Sequence, residues 1–355
     1  MSTPLRPTYV VSGILALAFL AACSNGGNGT TVPGASSSQQ VARSTSVLRP
    51  DVPQLHSNVP ATAFFNKITN IKGQESIVVS DASNNVVDIF NAKGVQAAQL
   101  TGFSQPQGLA LDTEGNLYVA DTNNSRIQVY AAGFDGTPTT ISDPGQAPVA
   151  IAIDKNDNIA VTNIITTSDG PGSVSFFNKS GTLLSTLSNG GFAKVLFDAF
   201  DRKGNLYIDG TSGSGSFVAG EVVGGVSGKA ITILTTGNTI GYPGGIAITS
   251  KGKIAIDDQE NRAIDTYNAP VKGALGTPIA TTPLTGAGDP IGITFTQTDK
   301  GIWVADPAGG GAPNKVLVPS ADKNQYPVGG GSTRTILFSH GSQPTGIVLT
   351  RAAKT

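Results

Sequence analysis

Cysteine is almost missing from this chain: Cys23 is the only one in 355 residues, so no disulfide can form within it. Histidine is nearly as scarce, with only His56 and His340. Beyond residue 60 there is no thiol at all, which excludes cysteine–histidine chemistry from that region. A serine or carboxylate nucleophile activated by histidine finds no support either, because neither histidine has an acidic partner nearby in sequence. Charge is sparse and balanced, with 23 basic and 24 acidic residues, so nothing marks nucleic acid as a partner. Long apolar runs are missing too: Val10 to Leu20 is about half the ~20 residues that a membrane-spanning helix needs. Elsewhere apolar residues alternate or come in short runs, which excludes a long amphipathic helix.

Glycine, by contrast, is abundant, with 45 residues at roughly double its usual share. Together with frequent valine, isoleucine and threonine it points to short strands joined by tight turns, an all-β fold.

At the N-terminus, Arg6 precedes the apolar run, and Leu20-Ala21-Ala22 precede Cys23. A cationic start, a short apolar stretch and small residues before the cut describe a secretory signal peptide over 1–22. Leu-Ala-Ala-Cys also resembles the lipobox of bacterial lipoproteins. That resemblance implies that Cys23 becomes the first mature residue and is lipidated, with its acyl chains making the membrane a partner. It implies a place in the bacterial cell envelope; Ser24, standing where an aspartate would signal retention, favours the outer membrane or cell surface. Residues 23–60 then read as a tether. The stretch SNGGNGTTVPGASSSQQ, followed by Pro50, Pro53 and Pro60, has too little apolar content for a core and is expected to be disordered. As a flexible coil it would hold the folded part roughly 30 Å from the membrane.

From about Ala61 to Thr355 one pattern recurs. Its clearest copy runs Pro106-Gln107-Gly108-Leu109-Ala110-Leu111-Asp112, then Gly115-Asn116-Leu117-Tyr118-Val119-Ala120-Asp121. Further copies start at Pro148, Pro243 and Pro290, and a degenerate one keeps Ala199-Phe200-Asp201 and Gly204-Asn205-Leu206-Tyr207-Ile208-Asp209. Third and fourth strand-like runs follow, such as Arg126 to Tyr130 and Thr182 to Leu187. Four short strands in each ~40–50 residues match one blade of a β-propeller. Near the N-terminus, Ile77 to Asp81 and Val86 to Phe90 lack their leading Pro-x-Gly strand, while Pro344 to Thr350 is that strand alone. Pairing the two ends gives a closed, six-bladed propeller of four-stranded blades, with no open edge between first and last.

Asp121-Thr122-Asn123-Asn124-Ser125-Arg126-Ile127-Gln128-Val129-Tyr130 resembles the core motif of NHL-repeat propellers, with weaker echoes at Asp81 to Phe90 and Asp258 to Tyr267. The resemblance implies the fold for 61–355. It leaves function open, because such propellers include scaffolds, lactonases and lyases.

The Asp or Asn closing each second strand (Asp81, Asp121, Asn163, Asp258, Asp306) suggests a ring of ligands. Its presence in every clear copy instead favours a structural role, capping the turn that follows. Asp198 is more unusual. Aligned without gaps, it takes the innermost-strand position held by Leu109, Ile151, Ile246, Ile293 and Ile347, with Lys194 as a candidate partner. A second alignment makes it the repeat aspartate before a longer loop. Residues at the starts of the inner strands are expected to line the mouth of the central channel: Gln105, Gln107, Lys194, Tyr242, Asp289 and Gln343. Their mix of amides, single charges and one aromatic suits a polar ligand. Trp303, aligned with Tyr118, is expected in the blade core. No metal set is evident, since Glu75, Glu221 and Glu260 do not fall at equivalent inner-strand positions.

These observations favour a non-enzymatic binding or scaffold module that recognises an envelope protein, peptide or glycan without a cofactor. The alternative is a calcium-dependent lactonase or lyase of the gluconolactonase-like class, which would need at least three oxygen ligands converging in the channel.

Overall fold

The computed structural model describes residues 76–350, apart from 92–93, 145, 166–170, 189, 285–286, 288, 296–301, 308–314, 320–331 and 338–341. Cys23, His56, Glu75 and His340, the expected signal peptide and tether, and most of the two long loops after Asn163 and Asp306 lie outside the described residues. Among the described residues no helix is long and apolar enough to cross a membrane.

The repeat folds as antiparallel sheets. In its clearest copy the strands Pro106–Leu111, Leu117–Asp121, Arg126–Tyr130 and Thr139–Ser142 lie side by side in chain order. The sequence gradient across this sheet explains its placement. Leu117–Asp121 is buried along its whole length, whereas the outermost strand, Thr139–Ser142, is mostly exposed. The same contrast separates Ser173–Phe177, wholly buried, from Leu183–Ser188, the mostly exposed outer strand of its sheet. A strand covered on both faces reads as a continuous apolar run, and one at the rim does not.

Six such sheets are described. Their innermost strands are Pro106–Leu111, Gln146–Ile153, Phe192–Phe200, Pro243–Ile248, Gly292–Phe295 and Pro344–Leu349. Each packs beside the next, and Pro344–Leu349 packs back onto Pro106–Leu111. Apolar clusters fill the spaces between neighbouring sheets: Tyr118, Ile127, Ile151 and Phe177 form one, and Tyr207, Ile246, Ile256 and Tyr267 form another. Trp303 sits in a third with Ile77, Val79, Phe90 and Ile347, in the core as its alignment with Tyr118 predicts. The protein is therefore an all-β propeller.

Five of the sheets have four strands, as the repeat predicts; the sheet that begins with Phe192–Phe200 has five. Its fourth strand, Thr232–Thr236, is joined in parallel by Ala274–Gly276, with Thr235 opposite Ala274. That extra strand comes from the insertion between Ala263–Tyr267 and Ala280–Pro283 of the following sheet. The sequence pattern misses it because three residues carry no alternation to read.

Two ends of the chain share one sheet. Ile77–Asp81 pairs with Val86–Phe90 on one side and with Pro344–Leu349 on the other, with Val79 opposite both Asp88 and Ile347. Close approach around the channel depends on missing side chains. A Cβ on Gly292 would collide with the Thr345 carbonyl, and one on Gly346 would collide with the Gln107 carbonyl. Deleting residues 343–355 should therefore remove an inner strand and open the packing on both sides of it. Thermal unfolding followed by circular dichroism should show a loss of at least about 10 °C or no cooperative transition; an unchanged midpoint would contradict closure by this strand.

Candidate functional site

The recurring aspartate does two jobs. Asp81 Oδ1 accepts the Asn84 amide at 3.2 Å and the Gln343 amide at 2.9 Å. Asp258 accepts Asn261 N–H at 2.9 Å and Gly241 N–H at 3.0 Å. Asp121 accepts Ser104 N–H at 2.6 Å and the Arg126 guanidinium at 2.7 Å, and Asp306 accepts Asp289 N–H at 2.8 Å. Each carboxylate thus ties the segment leading into its own inner strand, and two of them also cap the turn beyond, as expected of Asx side chains. In the Phe192–Phe200 sheet the equivalent residue is Gly210, whose absent Cβ leaves room for the Lys194 carbonyl.

One position earlier, a second polar series runs through the buried second strands. Ser80 Oγ accepts Gly346 N–H at 2.7 Å and donates to the Gln107 carbonyl of the next sheet. Thr162 Oγ1 accepts Ala150 N–H at 3.1 Å and donates to the Leu196 carbonyl of the next sheet at 2.6 Å. Each hydroxyl fills a register shift in its inner strand pair and links two sheets. Asp209 and Asp257 hold the same position. Asp209 Oδ1 accepts Phe197 N–H at 3.1 Å, but its Oδ2 and both oxygens of Asp257 have no hydrogen-bond partner. Burial raises the Asp209 carboxyl from 3.8 to about 8. Burial raises Asp257 well above 3.8, with repulsion from Asp258, Asp306 and Asp209 adding to it. A neutral carboxyl can donate to a neighbouring carbonyl as the two hydroxyls do, and a carboxylate cannot. This series escaped the sequence reading, although polar residues recurring inside an apolar strand were the available signal.

The inner strands surround a cavity of about 70 Å³ lined by Gln107, Gly108, Leu109, Ala150, Ile151, Phe197, Asp198, Gly245, Ile246, Gly292, Ile293, Thr345, Gly346 and Ile347. Pairing places Asp198 opposite Ile208, as Leu109 is opposite Val119 and Ile246 opposite Ile256, so the gapless alignment holds. Asp198 is 7 % exposed, and neither of its carboxylate oxygens makes a hydrogen bond of normal geometry. Burial holds this carboxyl well above 3.8 and the Asp209 charge pushes the same way, while the Ala152 amide opposes them weakly.

Of the six residues expected at the channel mouth, Gln107 lines the cavity, as Asp198 does, and the other five are not part of its lining. Lys194 makes no ion pair with Asp198: the ion pairs among the described residues join Arg126 to Asp121 and Lys179 to Glu114 and Asp157. Both lie on the extended strand Phe192–Phe200, where four residues span about 13 Å. Gln105 donates its amide N–H to Asn85 Oδ1 at 2.7 Å and is held over a neighbouring hairpin. Tyr242 packs edge-on against Phe217, with ring centroids 4.9 Å apart. Asp289 and Gln343 serve the clasps on Asp306 and Asp81 through their backbones. Among the described residues no three His, Cys, Asp or Glu side chains converge to hold a metal ion.

Fold and site together define a β-propeller whose narrow channel carries one buried acid. Residues 103–130 match the NHL repeat, the segment whose motif resembles it most clearly. No curated protein matches the chain. Among solved structures it is similar to a chain of a nidogen/laminin complex, with TM-score 0.61 and 17 % identity over 78 % of this chain and 99 % of that one. A protein of unknown function from Bacteroides caccae gives TM-score 0.60 at 13 % identity, covering 79 % and 100 %. A catalytically inactive variant of virginiamycin B lyase from Staphylococcus aureus with quinupristin gives 0.50 at 16 %, covering 67 % and 75 %. At these identities the likeness is one of fold.

Because Asp209 binds its proton more tightly folded than unfolded, it stabilises most below pH 3.8, and that contribution is lost as pH rises through about 8. Urea unfolding should give lower stability at pH 8 than at pH 5. Asp209→Asn, which keeps the acceptor and supplies a donor, should flatten that slope; an unchanged slope would show that the proton is not held at Asp209.

Proposed function

We propose that this chain is an exported, lipid-anchored propeller of six blades that works in the bacterial envelope as a non-enzymatic binding or scaffold module. The size of the channel cavity carries this reading. At about 70 Å³ it is far below the ~300–1,000 Å³ of sites that enclose a small-molecule substrate. Recognition then falls to groups inserted into the channel and to the loops around its mouth, on a scaffold made rigid by closely packed sheets. An envelope protein, peptide or glycan is the partner class, and no cofactor enters the reading. The nidogen/laminin likeness supports it at the level of fold alone. Anchoring rests on the lipobox-like sequence at Cys23 and the tether over 23–60, with the outer membrane or cell surface as the location.

Two experiments test the proposal. Radiolabelled palmitate fed to the producing bacterium should label the full chain and not Cys23→Ala; labelling of both or neither would refute the anchor. With Cys23 acylated, Gln107→Cys supplies the single free thiol, beside the channel. A thiol-directed cross-linker applied to cells should give one discrete adduct, lost when Asp198 is also replaced. Absence of an adduct, together with calcium-dependent turnover of lactones by the purified chain, would move the protein to the lactonase class.

A further inference from the structure

The innermost ring of side chains holds five aliphatics and one acid: Leu109, Ile151, Ile246, Ile293 and Ile347, with Asp198 as the sixth. An unpaired carboxylate that is nine-tenths buried is costly unless a cation or hydrogen-bond donors meet it. Among the described residues no cation meets Asp198 and the Ala152 amide is its one donor, outside normal hydrogen-bond geometry, and Asp198 lines an open cavity. The rest of that lining is apolar side chain and backbone, apart from Gln107 and Thr345.

We propose that the channel seats a primary alkylammonium group, with its carbon chain against the five aliphatic side chains and its ammonium on Asp198. A lysine side chain presented by a partner carries this chemistry, and so does a free alkylamine. The inference rests on the binding-module reading and names what that module grips. Three observations select this group over other cations. Calcium takes six to eight oxygen ligands, and the lining contributes one carboxylate. A guanidinium brings five donors in a rigid plane and an ammonium three, and the side-chain acceptors in the lining are those of Asp198, Gln107 and Thr345, so the ammonium leaves fewer donors unmet. The cavity is about half the ~150 Å³ of an apolar cavity that holds benzene, which favours the compact ammonium over the wider guanidinium plane.

Binding is coupled to a proton. Burial favours the neutral form of Asp198 in the empty channel; an arriving ammonium would displace that proton to solvent and form a carboxylate–ammonium pair, so total charge is conserved. Asp209, on the adjacent strand, is the one titratable group whose charge acts on Asp198, and no other titratable residue lines the cavity. Its ionisation would strengthen the pull on a cation, so both groups make affinity rise with pH.

Isothermal calorimetry on the full chain in detergent tests this with n-butylammonium, n-butanol and calcium as separate titrants. Butylammonium should bind one to one, about tenfold tighter at pH 8 than at pH 6, and butanol should bind at least tenfold more weakly. Asp198→Ile restores the aliphatic residue that the other five repeats carry; it should raise the melting temperature and abolish amine binding, and Asp198→Asn should weaken it at least tenfold. Nα-acetyl-lysine amide separates the sources: binding supports an inserted side chain, while binding of butylammonium alone supports a free amine. Equal affinity for butanol, retention of amine binding by Asp198→Ile, or stoichiometric calcium binding that excludes the amine would overturn the proposal. A Gln107→Cys cross-link that persists in that case would leave the binding-module reading standing.

Discussion

Backbone-to-backbone contact between neighbouring inner strands is the constraint on which the rest of this molecule depends. Gly292 lies against the Thr345 carbonyl and Gly346 against the Gln107 carbonyl, with no room for a side chain at either place. Such an approach draws the sheets in until the channel is narrow, and it brings polar backbone groups face to face where water is scarce. Hydrogen bonds must then be found locally. The clasps of Asp81, Asp121, Asp258 and Asp306 on the segments leading into the strands are one answer, and the bridging hydroxyls of Ser80 and Thr162 are another.

This explains why buried acids gather near the axis. Asp209 and Asp257 stand where Ser80 and Thr162 bridge, without making the bridge, and burial raises the pKa of both carboxyls. Asp198 is different in kind. It lies where five other repeats place an aliphatic side chain, and of these buried acids it alone lines the cavity.

Much of the fold was legible because it repeats. The Pro-x-Gly start, the apolar second strand and its closing aspartate each recur often enough to be aligned by eye, and the terminal half-repeats announce their own pairing. Single events were harder to read. The strand Ala274–Gly276 is too short to show alternation and pairs across sheets. Lys194 is four residues from Asp198 in sequence, and an extended strand sets residues at that spacing about 13 Å apart. For the site, the sequence placed Asp198 on the innermost strand through its alignment with aliphatic residues. It could not show which residues at the strand starts line the cavity, since Gln105, Asp289 and Gln343 are engaged as backbone donors and Tyr242 as a ring partner.

The sheet shared by Ile77–Asp81 and Pro344–Leu349 sets an order in time as well as in space. A chain delivered from its N-terminus, by the ribosome or across a membrane, presents the first of these strands long before the last, and until then Ile77–Asp81 lacks the partner on one edge. Closing the ring therefore waits on Pro344–Leu349.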